Sequence, residues 1–484
     1  MARSLARNTR LFATILDDDL STASPSNTFE IKVLDGYSFS QNTENQEVGI
    51  SEAGVDPVRG TLTFNTALNP ADVSFSTYVR PYLNNIDAAD EVECVEKVLW
   101  ASALAAAGYD LTPGATKAIE AQDDDYILFG TNDSNVNELM KLTLYFVFQN
   151  TTYKVLDFNV GTVEVDFSID SIATINWTGF GSRILEDKAA HATIAGWQSD
   201  IELATETGAD YKGVPATTSD TFLRNKLSVM TLSDNVFLDS DSALVDATMS
   251  GASGNTITMT ATDSDITEAN FKGGRVYNDD LSEWRTIVSV TDTQTFVVDN
   301  SSITGQDAAT AGWDNGDNLV LYRPIEHAGD GNADTSGIVY SIPITGGTLS
   351  IENNFTYLTP EELAIVNIPL PGFAGNRSTS GSVTAYLNTG AEGSGGLLGD
   401  MLSKIDEVSN NFHLTLYMGN SPTSYPHVKF DIPHAQIGVP TTGVEDVIST
   451  EITFAGKPWN TSLDEASFED TNEITIAYQN SVAD

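Results

Sequence analysis

Residues Tyr153–Gly181 read YKVLDFNVGTVEVDFSIDSIATINWTGFG, and the pattern returns without a gap as FDIPHAQIGVPTTGVEDVISTEITFAGKP at Phe430–Pro458. In this alignment Tyr153 meets Phe430, Val155 meets Ile432, and Val160-Gly161 meets Ile437-Gly438. Further on, Ile175 meets Ile452, Trp177 meets Phe454 and Gly179 meets Gly456. Few residues are identical, but β-formers, aromatics and glycines fall in phase, as two copies of one β-unit would keep them.

Other echoes follow in the same order. Lys226–Leu232 (KLSVMTL) matches Arg10–Leu16 (RLFATIL), and Tyr340–Asn353 (YSIPITGGTLSIEN) matches Phe29–Asn42 (FEIKVLDGYSFSQN). The latter puts Ile342 on Ile31, Ile344 on Val33 and Gly347 on Gly36. Gly381–Leu387 echoes Gly60–Thr66. Asp87–Ala107, acidic at its start and ended by Gly108, predicts a helix with Val92, Val95, Leu99 and Ala103 on its buried face. Leu397–Val408 supplies a shorter helix at the matching place. Val73, Phe75, Thr77 and Val79 alternate as in a half-buried strand, Leu139–Gln149 reads as another strand, and Gln41–Arg59 reads as a long exposed loop.

The second copy carries extra residues between its first two strands. Within them, Thr256–Thr262, Gly274–Asn278, Trp284–Val290, Thr295–Asp299 and Asn318–Tyr322 read as short strands of a small β-barrel or Ig-like module. The expected fold is therefore mainly β with flanking α: two tandem β-sandwich or barrel domains, each with one helix, plus the inserted β domain. The expected bounds are 1–182 for the first domain, 183–221 for a linker, 222–234 with 335–460 for the second domain, 235–334 for the insert, and 461–484 for a C-terminal extension.

Across 484 residues, 68 acidic and 23 basic side chains give a formal net charge of −45. A surface that acidic repels nucleic acid and anionic membranes and favours solubility, and it also suits salty surroundings. The single Cys94 falls in an apolar pattern and reads as a buried structural thiol. The apolar run Leu11–Leu16 is too short for a signal peptide, and no run is long enough to span a membrane.

No motif points to catalysis. The five histidines (His191, His327, His413, His427, His434) have no metal-ligand spacing. Asp330–Asp334 opens like a calcium loop, but Thr335 and Ser341 stand where the glycine and the clamping glutamate belong. Asp17–Asp19, Asp123–Asp125 and Asp314–Asp317 read as exposed turns. The expectation is no enzyme, no cofactor and no metal.

Arg59-Gly60-Thr61-Leu62-Thr63-Phe64-Asn65 and Leu68-Asn69-Pro70-Ala71, running into Ser74–Pro81, resemble the tail tube (major tail) proteins of tailed bacteriophages. So do Phe29–Gln41, Ser171–Gly181 and the opening MARSLARNTRLF. The resemblance covers about residues 1–185 and, more faintly, 222–237 and 338–460. It implies a structural virion protein, assembled in the host cytoplasm into the phage tail, whose rings stack into a tube conducting double-stranded DNA without specific binding. Family members form six-fold rings, so two domains per chain imply a homotrimer with pseudo-six-fold symmetry and a formal ring charge of 3 × (−45) = −135. Other tail proteins (sheath in a contractile tail, tape measure, terminator, baseplate) are the implied partners, with no membrane. The family's inter-ring loop carries over to Val48, Ile50 and Val55 in the first copy, and to Phe355, Tyr357, Ile365, Val366, Ile368 and Phe373 in the second. The competing readings are an extracellular or virion-surface β-rich adhesion protein, and another tail component such as a terminator or baseplate hub.

Overall fold

A computed structural model describes residues 9–15, 28–48, 62–84, 91–104, 121–122, 126–129, 139–169, 171–194, 222–234, 244–262, 266–267, 271, 275–281, 283–300, 306–322, 339–358, 367–370, 372–388, 393–403, 412–420, 426–439, 441–444, 448–457 and 473–479. The first repeat holds β1 (Arg10–Ile15), β2 (Thr28–Ile31), β3 (Ser38–Ser40), β4 (Thr43–Val48), β5 (Leu62–Leu68), β6 (Ala71–Tyr78), β7 (Pro81–Asn84) and β8 (Glu91–Cys94). Helix α1 (Lys97–Leu104) follows, then β9 (Ala121–Gln122), β10 (Tyr126–Phe129), β11 (Leu142–Val147), β12 (Thr152–Asp166), β13 (Thr174–Gly181), β14 (Arg183–Glu186) and α2 (Lys188–Ile194). After β15 (Val229–Asp234) come β16 (Leu244–Ser253), β17 (Thr256–Met259), β18 (Arg275–Asn278), β19 (Glu283–Val290), β20 (Thr295–Val298) and β21 (Asn318–Tyr322). The chain closes with β22 (Val339–Glu352), β23 (Ser378–Tyr386), α3 (Ser394–Ser403), β24 (Phe412–Met418), β25 (His427–Ile437), β26 (Thr441–Val444), β27 (Ile448–Gly456) and β28 (Thr475–Gln479).

Both repeats have the same strand neighbours. In the first, β1 pairs with β2 and β11, β12 with β11, β13 and β14, and β6 with β3 and β13. In the second, β15 pairs with β22 and β24, β25 with β24, β27 and β28, and β23 with β22 and β27. The long β22 does the work of β2 and β3 together. Even the bulge positions correspond, Leu142/Leu144 against β12 and Phe412/Leu414 against β25.

The registers revise three of the sequence echoes. Leu11 faces Phe146 and Ile31 as Met230 faces Leu416 and Ile342, so Leu11 corresponds to Met230, three residues beyond its place in the sequence match. Asp72 faces Phe180 as Ser380 faces Ala455, so β23 stands for β6 and not for the Gly60 strand. Val160 faces Gly179 but Ile437 faces Phe454, so the second copy is two residues shorter between these strands and Gly456 corresponds to Gly181. A slip of two keeps every side chain on its own face, which is why the ungapped match still looked in phase.

Four boundaries also differ. Residues 91–94 were expected in the helix, yet Val92 and Cys94 are buried at period two and form β8 against β7, so α1 starts at Lys97. Thr43–Val48, expected as loop, pairs with Leu62–Leu68 as a hairpin. Arg183–Glu186, expected to open a linker, pairs with Tyr153–Leu156. Thr475–Gln479, expected in an extension, is a fully buried strand between β10 and β25.

One core runs through both repeats. Every residue of α1 is buried, and Trp100 sits edge-on to Trp177 with ring centroids 4.9 Å apart. The inserted strands close a separate six-stranded barrel, in the order β16-β17-β20-β19-β18-β21, around Met249, Ile257, Phe271, Ile287, Phe296 and Leu321. Its first strand, β16, has no counterpart among the strands expected from sequence. Inside it Arg285 is buried, ion-paired to Glu283 at 3.0 Å, with its guanidinium over the Trp313 ring.

Candidate functional site

A single run of antiparallel pairings crosses both repeats: β3–β6–β13–β12–β22–β23–β27–β26. The joint between repeats is β12 with β22, where Thr162 faces Glu352, Glu164 faces Ser350 and Asp166 faces Thr348. Asn353, 2% exposed, fixes this joint: its backbone N–H donates to Gly161 O (2.8 Å) and its Nδ2 to Val160 O (3.1 Å) and Ala103 O (2.9 Å). A buried amide with its donors met in this way is costly to remove.

The two faces of the run differ because each strand alternates. Val73, Phe75, Val163, Val165, Ile175, Trp177, Leu349, Ile351, Val383, Ile452 and Phe454 point into the core. The other face is polar in continuous rows. One row reads Ser76, Asn176, Glu164, Ser350, Ser380; another reads Ser38, Ser74, Thr178, Thr162, Glu352, Ser378. Ser76 Oγ donates to Asn176 Oδ1 at 2.7 Å, and the Ser38 and Ser74 hydroxyls are 2.8 Å apart.

Asp72, Glu164, Glu352 and Glu451 are exposed and Asp166 is half-buried. No lysine or arginine occurs in β3, β6, β13, β22, β23, β26 or β27, nor in residues 159–166 of β12. Chemically this face offers hydroxyls, amides and carboxylates and no cation to hold a phosphate.

The described residues among those expected in ring stacking lie at one end of this run, where β3 leads into the β4–β5 hairpin and β22 leads into residues 353–358. The structure joins the two segments. Leu68 N donates to Asn367 O (2.8 Å), and Ala67 bridges Asn367. Tyr357 Oη donates to Phe180 O at 2.8 Å, with the rings edge-on. Phe373 and Ile368 are exposed, Phe355 and Tyr357 half-buried. Ile50, Val55, Ile365 and Val366 lie outside the described residues, as does the Val48 side chain. Phe64, Phe180, Leu358 and Leu370, which the sequence reading did not single out, add exposed apolar surface. Phe180 sits in an alternating strand, out of phase with Ile175 and Trp177, so its outward direction was available as a signal.

Among the described residues no His/Cys/Asp/Glu group could hold a metal ion, and no helix is long and apolar enough to cross a membrane. Cys94 is buried. His413 Nε2 lies 2.8 Å from Asp431 Oδ1, and His191 Nδ1 2.9 Å from Thr152 Oγ1, both as parts of the packing. Asp314–Asp317 forms a turn in which Asp314 N donates to Asp317 Oδ2. His327, Asp330–Asp334, Asp17–Asp19 and Asp123–Asp125 lie outside the described residues.

No family model matches this chain. The chain is similar to the tail tube protein pb6 of Escherichia phage T5, with 25% identity over 460 residues, covering 95% of this chain and 73% of that protein.

Proposed function

We propose that this chain is a bacteriophage tail tube protein, a structural subunit of the virion tail that assembles with copies of itself and with other tail proteins. The similarity to the T5 tail tube protein along nearly the whole chain carries this reading. In the finer reading, three chains of two repeats close a pseudo-six-fold ring, and rings stack into a hollow tube. The polar face of the eight-strand run lines the lumen, with Asp72, Glu164, Asp166, Glu352 and Glu451 toward the passing duplex. Each cation contact to a phosphate would release counterions and add salt-dependent grip; a wall without lysine or arginine lets DNA slide during ejection. The reading assigns the chain no catalytic step. The exposed apolar end, from Phe64 to Phe373, then meets the next ring. The inserted barrel decorates the outside.

Purified protein viewed by electron microscopy should form hollow tubes, and mass measurement of a single ring should give three chains. Failure to form tubes under any condition overturns the reading, and a ring of six chains overturns the trimer.

A further inference from the structure

We propose that the inserted barrel is docked on the outer face of β24, β25 and β28 by a charge clasp, in which Lys429 of the body is held by Asp299 of the barrel with Glu283 behind it. The barrel is then a fixed arm and not a module swinging on its two tethers. This goes beyond the tube reading and does not rest on it.

The burial of a sheet face that points away from the core is the first observation. Leu414, Leu416, Val428, Phe430, Ile476 and Tyr478 point into the shared core, so by alternation Thr415, Tyr417, Lys429, Asp431 and Ala477 point outward. An antiparallel sheet whose second face meets water keeps such polar side chains wet. Here Lys429 is 1% exposed, Ala477 2% and Thr415 5%, so the face is covered.

Lys429 is the costly member of that face, because a buried ammonium needs opposite charge close by. Asp431 Oδ1 lies 3.7 Å from its Nζ, too far for a hydrogen bond, and is already engaged by His413 Nε2 and the Thr415 hydroxyl at 2.8 Å each. Burial pushes Lys429 toward its neutral form, and the charges opposing this come from both domains: Asp431 in the body, Asp299 and Glu283 in the barrel. Asp299 also acts on Tyr417, after burial and Asp431, in holding its hydroxyl protonated. The Tyr417 ring centroid is 5.9 Å from the Lys429 ammonium. In the barrel, one buried arginine sets the two acids at a common end: Arg285 Nη1 donates to Asp299 O and Nη2 to Glu283 Oε1, each at 3.0 Å.

The first repeat covers the same face with a different element. Val147 faces Thr152 as Tyr417 faces Lys429, so Thr152 holds the place of Lys429. There α2 lies on the face: His191 Nδ1 is 2.9 Å from Thr152 Oγ1, and Ile194 packs with Phe12, Tyr145 and Val147. In the second repeat the barrel is placed to do this. It leaves the body after β15 and returns at β22, which pair with each other, and β15 also pairs with β24. Both tethers therefore start beside the face that is covered.

The test uses Ala477→Cys in the full chain, which puts a thiol opposite Lys429 under the docked barrel; the native Cys94 is buried. The thiol should react with a maleimide slowly, at a rate set by opening of the dock. Adding Asp299→Asn on the barrel side, or Lys429→Met on the body side, should each raise that rate about tenfold, and the two together little more, since both remove one interaction. A thiol that reacts at once in the otherwise unaltered chain overturns the docking. A rate that neither variant changes overturns the clasp. A rise from Lys429→Met without one from Asp299→Asn would mean that the body alone had loosened, and rises that multiply would put the two residues in separate contacts; either result also overturns it.

Discussion

Trp100 Nε1 donates a hydrogen bond to Tyr478 Oη at 2.8 Å, joining the first repeat's helix to the last strand of the second repeat, 378 positions away. Tyr478 sits in β28, which pairs on one side with β10 of the first repeat and on the other with β25 of the second. The two repeats thus share a sheet at β28 as well as at the β12–β22 joint. Tyr478→Phe should cost about 1 kcal/mol, the usual net worth of one buried hydrogen bond. Trp100→Ala should cost about 3–5 kcal/mol, because it also leaves a cavity against Trp177. Truncation after residue 472 removes β28 and should abolish folding. Urea unfolding followed by tryptophan fluorescence measures all three; a truncated chain that unfolds like the full one would refute the shared sheet.

Glu96, adjacent to that hydrogen bond, is 0% exposed, and burial pushes its carboxyl up to about 8 against the opposing influence of hydrogen bonds and Arg80. The unfolded chain ionises this group from about pH 4.5 while the folded chain keeps its proton to about pH 8. Its contribution to stability is therefore complete below the lower value, declines through that window by at most about 1.4 kcal/mol per pH unit, and is flat above it. Glu96→Gln should flatten this part of the curve and stabilise the protein at pH 8. Melting temperatures from pH 4.5 to 9 test this; parallel curves for the two proteins would refute it.

Asp431 behaves in the opposite sense. Burial works against its charge, but His413 and Lys429, with hydrogen bonds from His413 and Thr415, hold its carboxyl well below the ordinary range. A lowered pKa gives stability that is present above the unfolded value and lost on acidification. Asp431→Asn leaves the buried Lys429 without its nearest counter-charge and should cost roughly 3–5 kcal/mol. Denaturant midpoints at pH 7 measure it, and a change under about 1 kcal/mol would mean the cluster is not coupled as drawn.

The duplication was legible in the sequence because β-sheet side chains repeat at period two and aromatic and glycine positions are kept. The same periodicity concealed the two-residue difference at Gly181 and Gly456, since a slip by two changes no face. β28 stayed hidden because it is short and buried on both faces, so TIAYQ shows no alternation. The β12–β22 joint could not be read at all: it depends on an edge of one repeat meeting an edge of the other, and neither edge carries a local signal. The polar face became visible once the registers set Ser, Thr, Asn, Asp and Glu from seven strands side by side.

The corresponding glycines should differ in tolerance. A Cβ at Gly181 would run into Val155 Cγ1 and the Leu156 carbonyl, whereas one at Gly456 finds its nearest neighbours at 3.2–3.3 Å. Gly181→Ala should destabilise by more than about 2 kcal/mol through overpacking, and Gly456→Ala by clearly less. Equal losses for the two variants would mean the copies do not pack as described.

If the exposed apolar end makes the proposed contact between rings, changing it should separate ring formation from stacking. Leu358→Asp with Phe373→Asp changes side chains that are each 55% exposed, so the fold should keep its melting temperature within about 2 °C. Size-exclusion with light scattering should show rings that no longer elongate into tubes. Normal tubes from this variant would place the inter-ring contact elsewhere.

The sharpest test of the polar face is a reversal of its charge. Glu164→Lys, Glu352→Lys and Glu451→Lys alter exposed side chains that point away from the core, so folding and tube assembly should persist. Each change replaces a carboxylate with an ammonium group able to contact phosphate, three per chain. Since binding to duplex DNA weakens with salt in proportion to the contacts made, the variant tubes should retard DNA strongly at low ionic strength and release it as salt rises. Wild-type tubes should show no such retention. Phage carrying the variant should eject its genome more slowly, with the delay shrinking as salt rises. Unchanged ejection by tubes of normal appearance would move these carboxylates off the lumen wall.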